Sequence, residues 1–216
     1  DLTDADLSEA DFRGAILKQA DLSDCDLTEA DLIDADLTEA DLINAKLNRA
    51  DLINANITNV DLDNADLINA DLNNAILSQA DLNHCSLNNA DLSGADLTDS
   101  TLSNASLNGA DLIDAKISYA DLSNADLIEA NLNNADLTHA NLSEANLSRA
   151  NFVDANLKHA NLRNADLIET NLFNANLNYA DLREADLTGA NLNQADLSDA
   201  KLPDTDLSDT TMTSMG

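Results

Sequence analysis

The stretch DLTDADLSEADFRGAILKQADLSDC, residues 1–25, divides into five successive units of five residues. Each unit has an apolar residue second and a small residue fifth, and Asp stands first in four of the five. The pattern runs without insertion through 43 units and leaves only Gly216 over. Leu occupies the second position in 38 units, and Ala occupies the fifth in 35. This repeat decides the fold.

A period of five residues matches neither regular element. On an α-helix, five residues advance about 140° beyond a full turn, so the leucines would spiral around every side. On a β-strand, an odd period would send successive leucines to opposite faces. The chain must therefore change direction once in every unit.

The third and fourth positions have the composition of a turn. The fourth position favours Asn and never holds Val, Ile, Leu or Thr, and the chain's one proline, Pro203, is third. Four of the five glycines are also fourth: Gly14, Gly94, Gly109 and Gly189. We therefore predict a β-turn across Leu-x-x-Ala, with positive φ at its second central residue, and a short extended side at Ala-Asp-Leu.

Corners of roughly a right angle would enclose Leu and Ala after four units, and the chain would then climb as a parallel coil, with right-handed crossover as the default. The A(D/N)Lxx run resembles the pentapeptide repeat family along essentially the whole chain. That resemblance implies an all-β fold, a right-handed quadrilateral parallel β-helix (β-solenoid) of twenty residues per coil. The 43 units then give about 10–11 coils and a length of roughly 50 Å at ~4.8 Å per coil.

We predict that residues 1–200 form the β-helix and that residues 201–216 form a degenerate last coil or C-terminal cap. The pattern decays there at Pro203, Thr205, Thr210, Met212 and Met215. No cap, initiator Met or signal peptide precedes Asp1. We expect the natural protein to continue N-terminally, or this end to form an end-to-end homodimer. No apolar run approaches the ~18 residues of a membrane span, and the sequence gives no prediction of compartment.

The chain is strongly acidic. Its 216 residues include 41 Asp and Glu against 10 Lys and Arg, a formal net charge of −31. Direct nucleic-acid binding is not expected, because that affinity rests on cations that neutralise phosphates. We instead predict an unidentified protein partner with a basic surface. The regular spacing of the hydrophobic residues, 44% of the chain, argues against disorder.

In a twenty-residue coil, residue n lies under residue n+20, so columns of side chains can be derived from the sequence. One column holds Tyr119, His139, His159 and Tyr179. Its interpretations are a structural ring stack, a partner-contact strip, or a metal site, and the last is disfavoured because no third ligand stands between the two tyrosines. Cationic residues cluster near this column: Arg149, Lys158, Arg163 and Arg183.

A second column is an unbroken acidic ladder on the third side, Asp11, Asp31, Asp51, Asp71, Asp91 and Asp111, which continues as asparagine from residue 131. Six aligned carboxylates should repel one another, and some should have raised pKa values. Two interpretations stay open. The ladder either favours the turn geometry and is otherwise solvated, or it imitates a row of phosphates.

A third column is apolar and lies beside the acidic ladder: Ile33, Ile53, Ile113, Val153 and Phe173. These residues either suit the corner conformation or form an exposed apolar contact site, for which Val153 and Phe173 are the best candidates. His84 is predicted to replace an amide in a stacked ladder. Cys25 and Cys85 should remain free, because three coils separate them by about 14 Å.

No catalytic constellation, metal site or cofactor motif is present in the sequence, and we predict that the protein is not an enzyme. We predict a non-enzymatic rigid solenoid scaffold for protein–protein interaction. The alternative is an acidic DNA mimic that binds a DNA-processing enzyme such as a type II topoisomerase. This alternative follows from resemblance to quinolone-resistance members of the family, although the chain lacks the loop insertions of those members.

Overall fold

The computed structural model describes residues 2–213 as a right-handed quadrilateral β-helix. The β structure consists of single bridging residues, one in each unit, rather than of longer strands. Every first-position residue from Asp6 to Asn191 pairs in parallel with the residue twenty positions later. The first and last of these bridges are Asp6↔Asp26 and Asn191↔Thr211. The predicted fold and its twenty-residue coil are confirmed.

Each side of the rod runs from the fourth residue of one unit to the third residue of the next. We number the sides by their central, first-position residues. Side 1 is centred on residues 21, 41 and onward in steps of twenty, side 2 on residues 26 and 46, side 3 on residues 31 and 51, and side 4 on residues 36 and 56. Sides 1 and 3 are therefore opposite each other, and side 4 lies between them.

The predicted turn is present at every corner from residue 2 to residue 210. In each of these units except that of Val60, the fifth-position N–H donates to the second-position carbonyl of its own unit, as from Ala30 to Leu27 at 3.0 Å. The fourth position has φ between 54° and 72° in every unit from residue 4 to residue 209. This left-handed conformation explains the absence of β-branched residues there, since their branched Cβ is strained at positive φ.

Backbone hydrogen bonds join each coil to the next in three places per unit. The N–H of Leu32 donates to the carbonyl of Asp51 at 2.7 Å, and the N–H of Asp51 donates back to the carbonyl of Ala30 at 2.9 Å. At the corner, the N–H of Asp34 donates to the carbonyl of Ile53 at 3.0 Å. Since this pattern recurs from coil to coil between residues 2 and 211, the rod has a nearly uniform cross-section.

The core is a continuous column of second- and fifth-position side chains, buried from Leu22 to Leu192. Polar replacements inside it are satisfied locally, because the hydroxyls of Ser100 and Thr170 each donate at 2.7 Å to a carbonyl three residues earlier. Cys25 and Cys85 are buried and free, as predicted. Burial raises the pKa of the Cys85 thiol far above its usual range.

The first and last described coils keep the same turns but have more exposed side chains, because each has a neighbouring coil on one side only within residues 2–213. Residues 201–211 still bridge to the preceding coil. The separate cap at residues 201–216 stays a prediction, and Asp1 and residues 214–216, with Met215, lie outside the described residues. Within residues 2–213 there is no helix long and apolar enough to cross a membrane.

Candidate interaction surfaces

The first-position carboxylate is part of the turn that follows it. The Oδ1 atom of Asp51 accepts the N–H of Ile53 at 3.2 Å, two residues along the chain. Asn171 does the same for the N–H of Phe173 at 3.3 Å. Asp and Asn therefore serve the turn equally, because each offers the same side-chain oxygen.

The acidic ladder runs up the centre of side 3 as predicted, and parallel bridges connect its six aspartates in sequence. The pKa of Asp51 is raised, first by burial and further by the neighbouring carboxylates of Asp71 and Asp31. The guanidinium of Arg13, 2.6 Å from the Asp11 carboxylate, instead holds the pKa of Asp11 at about 2. The first carboxylate of the ladder is thus neutralised by a cation.

Above residue 130 the same columns become hydrogen-bonded amide ladders. The Nδ2 of Asn171 donates to Oδ1 of Asn151 at 3.2 Å, and Asn191 donates to Asn171 at 2.8 Å. On side 1, Asn161 donates to Asn141 at 2.8 Å. An ionised Asp cannot donate, so these bonds replace the repulsion between successive carboxylates with attraction.

The aromatic column is a continuous stack of four rings at the start of side 1. Successive ring centroids from Tyr119 to Tyr179 are 4.9, 4.6 and 5.0 Å apart, with planes inclined by 9°, 9° and 13°. The predicted stacking is confirmed. The planes of His139 and His159 are nearly parallel, so their in-plane lone pairs do not converge on one ion. The role of the column in partner contact stays a prediction.

The stack remains open to solvent, with 60% of Tyr119 and 47% of Tyr179 exposed. The pKa of His159 is lowered by desolvation and by the nearby His139 and Lys158. At the upper end, a hydrogen bond with the Asp199 carboxylate raises the pKa of Tyr179. The neighbours that act on the His159 imidazole are therefore a cation and another imidazole, whereas a carboxylate acts on the terminal Tyr179.

Most cations of the chain are paired with carboxylates. Eight of the ten have a carboxylate oxygen within 3.6 Å: Arg13, Lys18, Lys46, Arg49, Lys116, Arg149, Arg183 and Lys201. Arg163 approaches Glu184 at 3.9 Å, and Lys158 makes no ion pair within residues 2–213. The basic cluster predicted near the rings therefore reduces to Lys158, at the end of side 4, and Arg163, at the end of side 1.

The predicted contact residues do not form one surface. Val153 and Phe173 are half-buried at the end of side 3, whereas the rings open side 1, and the width of side 4 separates them. Two exposed aliphatic residues outside the core positions of the repeat were not predicted: Ile16 and Ile76, on side 4, with 80% and 43% exposure. Both could have been found from the sequence, because each is an apolar residue at the first position of its unit, where Asp or Asn is the usual residue.

His84 differs from the prediction of an amide ladder. Its Nδ1 lies 2.8 Å from Oδ1 of Asp63, a third-position carboxylate in the coil below. The imidazole reaches diagonally across the corner because a carboxylate is the stronger partner for it.

Comparison with protein-family models gives a match to pentapeptide repeats in eight copies. The matched residues are 5–42, 35–74, 75–114, 115–153, 150–189 and 190–214. Comparison with curated proteins gives no match.

Solved structures with the same architecture include HetL, a pentapeptide repeat protein involved in heterocyst differentiation regulation from the cyanobacterium Nostoc sp. strain PCC 7120. HetL is 34% identical, with 98% of this chain and 91% of HetL covered and a TM-score of 0.71. Full-length QnrB1, a plasmid-mediated fluoroquinolone resistance protein, is 19% identical, with 80% of this chain and 91% of QnrB1 covered and a TM-score of 0.60. The likeness to QnrB1 concerns the fold alone.

Proposed function

The chain belongs to the pentapeptide repeat family, and we propose that it is a non-enzymatic rigid scaffold that binds a basic surface of a protein partner through its acidic columns. The observation that carries the proposal is that the carboxylates exceed what the fold requires. Asn171 holds the same turn as Asp51 and adds a hydrogen bond between coils. A column of carboxylates that repel one another is expected where an external cationic surface compensates for it.

The architecture suits a scaffold because it presents charges at fixed spacing. Three backbone hydrogen bonds per unit join neighbouring coils, and the core is continuous from Leu22 to Leu192. A partner therefore meets a preformed surface and does not have to order it on binding. The description of HetL as a protein involved in regulation fits a role in binding.

Titration of the isotope-labelled protein with an octalysine peptide, followed by amide chemical shifts, tests the acidic columns. The column variant replaces Asp31, Asp51, Asp71 and Asp91 with Asn, which keeps the turns. The control replaces an equal number of fourth-position carboxylates with Asn: Asp4, Asp34, Asp99 and Asp114. We expect the column variant to bind octalysine about tenfold more weakly and the control to change affinity less than about twofold. Equal weakening would show that net charge alone attracts the peptide and would reject the proposal.

A second candidate is the DNA mimic, which the charge distribution favours. Residues 1–130 contain 28 Asp and Glu against 5 Lys and Arg, a net charge of −23, on a rod of uniform section. In this candidate the acidic columns would occupy the DNA-binding groove of a type II topoisomerase. A DNA gyrase supercoiling assay, with and without a quinolone, separates the two functions. Unchanged supercoiling at micromolar protein would reject the mimic and leave the scaffold proposal standing.

A further inference from the structure

We propose that Lys158, Arg163 and the stacked pair His139 and His159 form a binding site for a carboxylate-bearing segment of the protein partner, and that this site sets the register of the partner along the rod. The register function rests on the proposed scaffold function. The binding site itself is argued independently, from the charges and contacts around the ring stack.

Lys158 and Arg163 differ from the other cations of the chain because neither has a close carboxylate partner within residues 2–213. Every other Lys and Arg in the chain lies within 3.6 Å of a carboxylate. Lys158 has no such partner in the part of the chain that the structure describes, and Arg163 has a distant one at 3.9 Å. In a chain of net charge −31, one cation without an ion pair in residues 2–213 and one with only a long ion pair, at 3.9 Å, flank the same rings, and both are available to an outside anion.

The part of the rod around the ring stack carries much less negative charge than the coils below it. Residues 131–180 contain five Asp and Glu and three Lys and Arg, a net charge of −2, whereas residues 1–130 carry −23. On side 1, Asn141 and Asn161 stand in the column that in the coils below holds aspartate at every level but one, the exception being Thr101. An approaching carboxylate thus meets less repulsion here than along the lower coils.

The four stacked rings present their edges, and not their faces, to solvent. Because the four rings stack face to face, their edges point to solvent, and the edge of an aromatic ring is its electropositive part. No carboxylate hydrogen-bonds to the imidazole of His139 or His159 within residues 2–213, whereas His84 is held by Asp63 at 2.8 Å. The imidazole N–H groups of the stack are therefore available as donors to an anion.

The site solves a problem that the repeat itself creates. Displacing a partner by one coil, about 4.8 Å, brings it to a nearly identical acidic column, so those columns alone define no unique position. By contrast, the pair of Lys158, at the end of side 4, and Arg163, at the end of side 1, flanks side 1 in one coil only. A partner with a basic surface and a nearby acidic segment satisfies both polarities in one register only, because a shift places like charges together.

The occupant is a short acidic peptide segment of a protein. A nucleic acid extends far beyond this patch and would meet the carboxylate columns of the coils below, which begin within about one or two Debye lengths. The acidic probe is therefore a hexapeptide of alternating Asp and Glu, blocked at both ends.

The experiment follows amide shifts of the labelled full chain during titration with the acidic hexapeptide. We expect the shifts to concentrate at residues 139–143 and 157–163. Replacing Lys158 and Arg163 with Asn should weaken binding about tenfold or more. The matched control replaces Lys46 and Arg149 with Asn, which removes the same charge from cations that carboxylates already pair at 3.6 Å and 2.9 Å. The control should change affinity less than about twofold, and melting temperatures verify that both variants fold.

The pH dependence provides a second measurement. Protonation of His159 adds positive charge to the site, so binding of the hexapeptide should strengthen as the pH falls through the lowered pKa of His159. Replacing both histidines with Asn should remove that dependence, whereas His84→Asn should leave it. Shifts spread evenly over the rod, equal weakening in both double variants, or pH dependence that survives loss of both histidines would each overturn the site.

The two proposals fail separately. If octalysine does not bind the acidic columns but the hexapeptide binds the site at Lys158 and Arg163, the scaffold proposal and the register function are rejected and the anion site is retained. If octalysine binds the columns and the hexapeptide does not bind the patch, the scaffold proposal stands and the anion site is rejected.

Discussion

The acidic coils, residues 2–130, and the amide band, residues 131–180, share one backbone and differ in what they present to solvent. Asn occupies the first position in one of the first 26 units, but in eight of the ten units of the amide band. The turns, the bridges and the buried Leu column are the same in both regions. The buried second and fifth positions of each unit therefore determine the fold, whereas the residue at the first position can change and alter the surface charge without altering the fold.

The largest expected effect tests whether the two regions have equivalent cores. Leu72 in the acidic coils and Leu172 in the amide band are both fully buried. Replacing either with Ala should lower the free energy of unfolding by about 2–5 kcal/mol, through lost burial and the cavity left behind. Urea denaturation measures both variants. A difference above about 1 kcal/mol between them would show that the regions differ in more than their surface.

The next effect transfers the amide ladder into the acidic coils. Replacing Asp31, Asp51 and Asp71 with Asn keeps the oxygen that accepts the turn N–H and adds a donor to the coil below. We expect the free energy of unfolding to rise by about 1–3 kcal/mol in low salt. The reverse change, Asn151→Asp with Asn171→Asp, should destabilise the protein. Added NaCl should shrink both effects by screening, and a gain that is independent of salt would contradict the electrostatic explanation.

The ring stack tests a feature that only the upper half of the rod has. His139→Asn with His159→Asn disrupts all three stacked pairs and should lower the free energy of unfolding by about 1–2 kcal/mol. The loss is limited because Asn tolerates the left-handed fourth position well. His84→Asn serves as the control and should change stability by less than about 0.5 kcal/mol, since its contact with Asp63 is exposed. An unchanged melting temperature in the double variant would remove the structural role of the stack.

The smallest effect concerns pH and separates two members of one ladder. The pKa of Asp51 is raised in the folded protein, so folding favours its protonated form, and stability should rise as the pH falls through that raised pKa toward the ordinary value of 3.8. Asp11, held at about 2, has the opposite sign: its contribution is present above the ordinary value of 3.8 and is lost as the pH falls through about 2. Thermal melts should show Asp51→Asn shifting the pH profile by less than about 2 °C. A profile identical to that of the unsubstituted protein would reject the assignment to Asp51.

The sequence predicts the fold of this chain well because the same five-residue pattern recurs in each unit. Apolar second residues, small fifth residues and a fourth position without β-branching specify the interior and the corner, and the period then aligns Tyr119 with His139. Contacts that depend on the reach of long side chains could not be derived in this way. The diagonal pair of His84 with Asp63, and the lack of an ion pair for Lys158 within residues 2–213, depend on side-chain rotamers, which the repeat does not specify.

The twenty-residue coil also limits how such a chain can change in length during evolution. Loss of residues 61–80 would remove one full coil, shorten the rod by about 4.8 Å and leave every outer column continuous. Loss of residues 61–65 alone would keep the core equally well filled, yet it would rotate everything downstream by a quarter turn, so that the rings open side 4 instead of side 1. Small deletions would therefore leave the fold intact while separating surfaces that had been aligned. Lineages that keep a working surface should gain and lose sequence in whole coils.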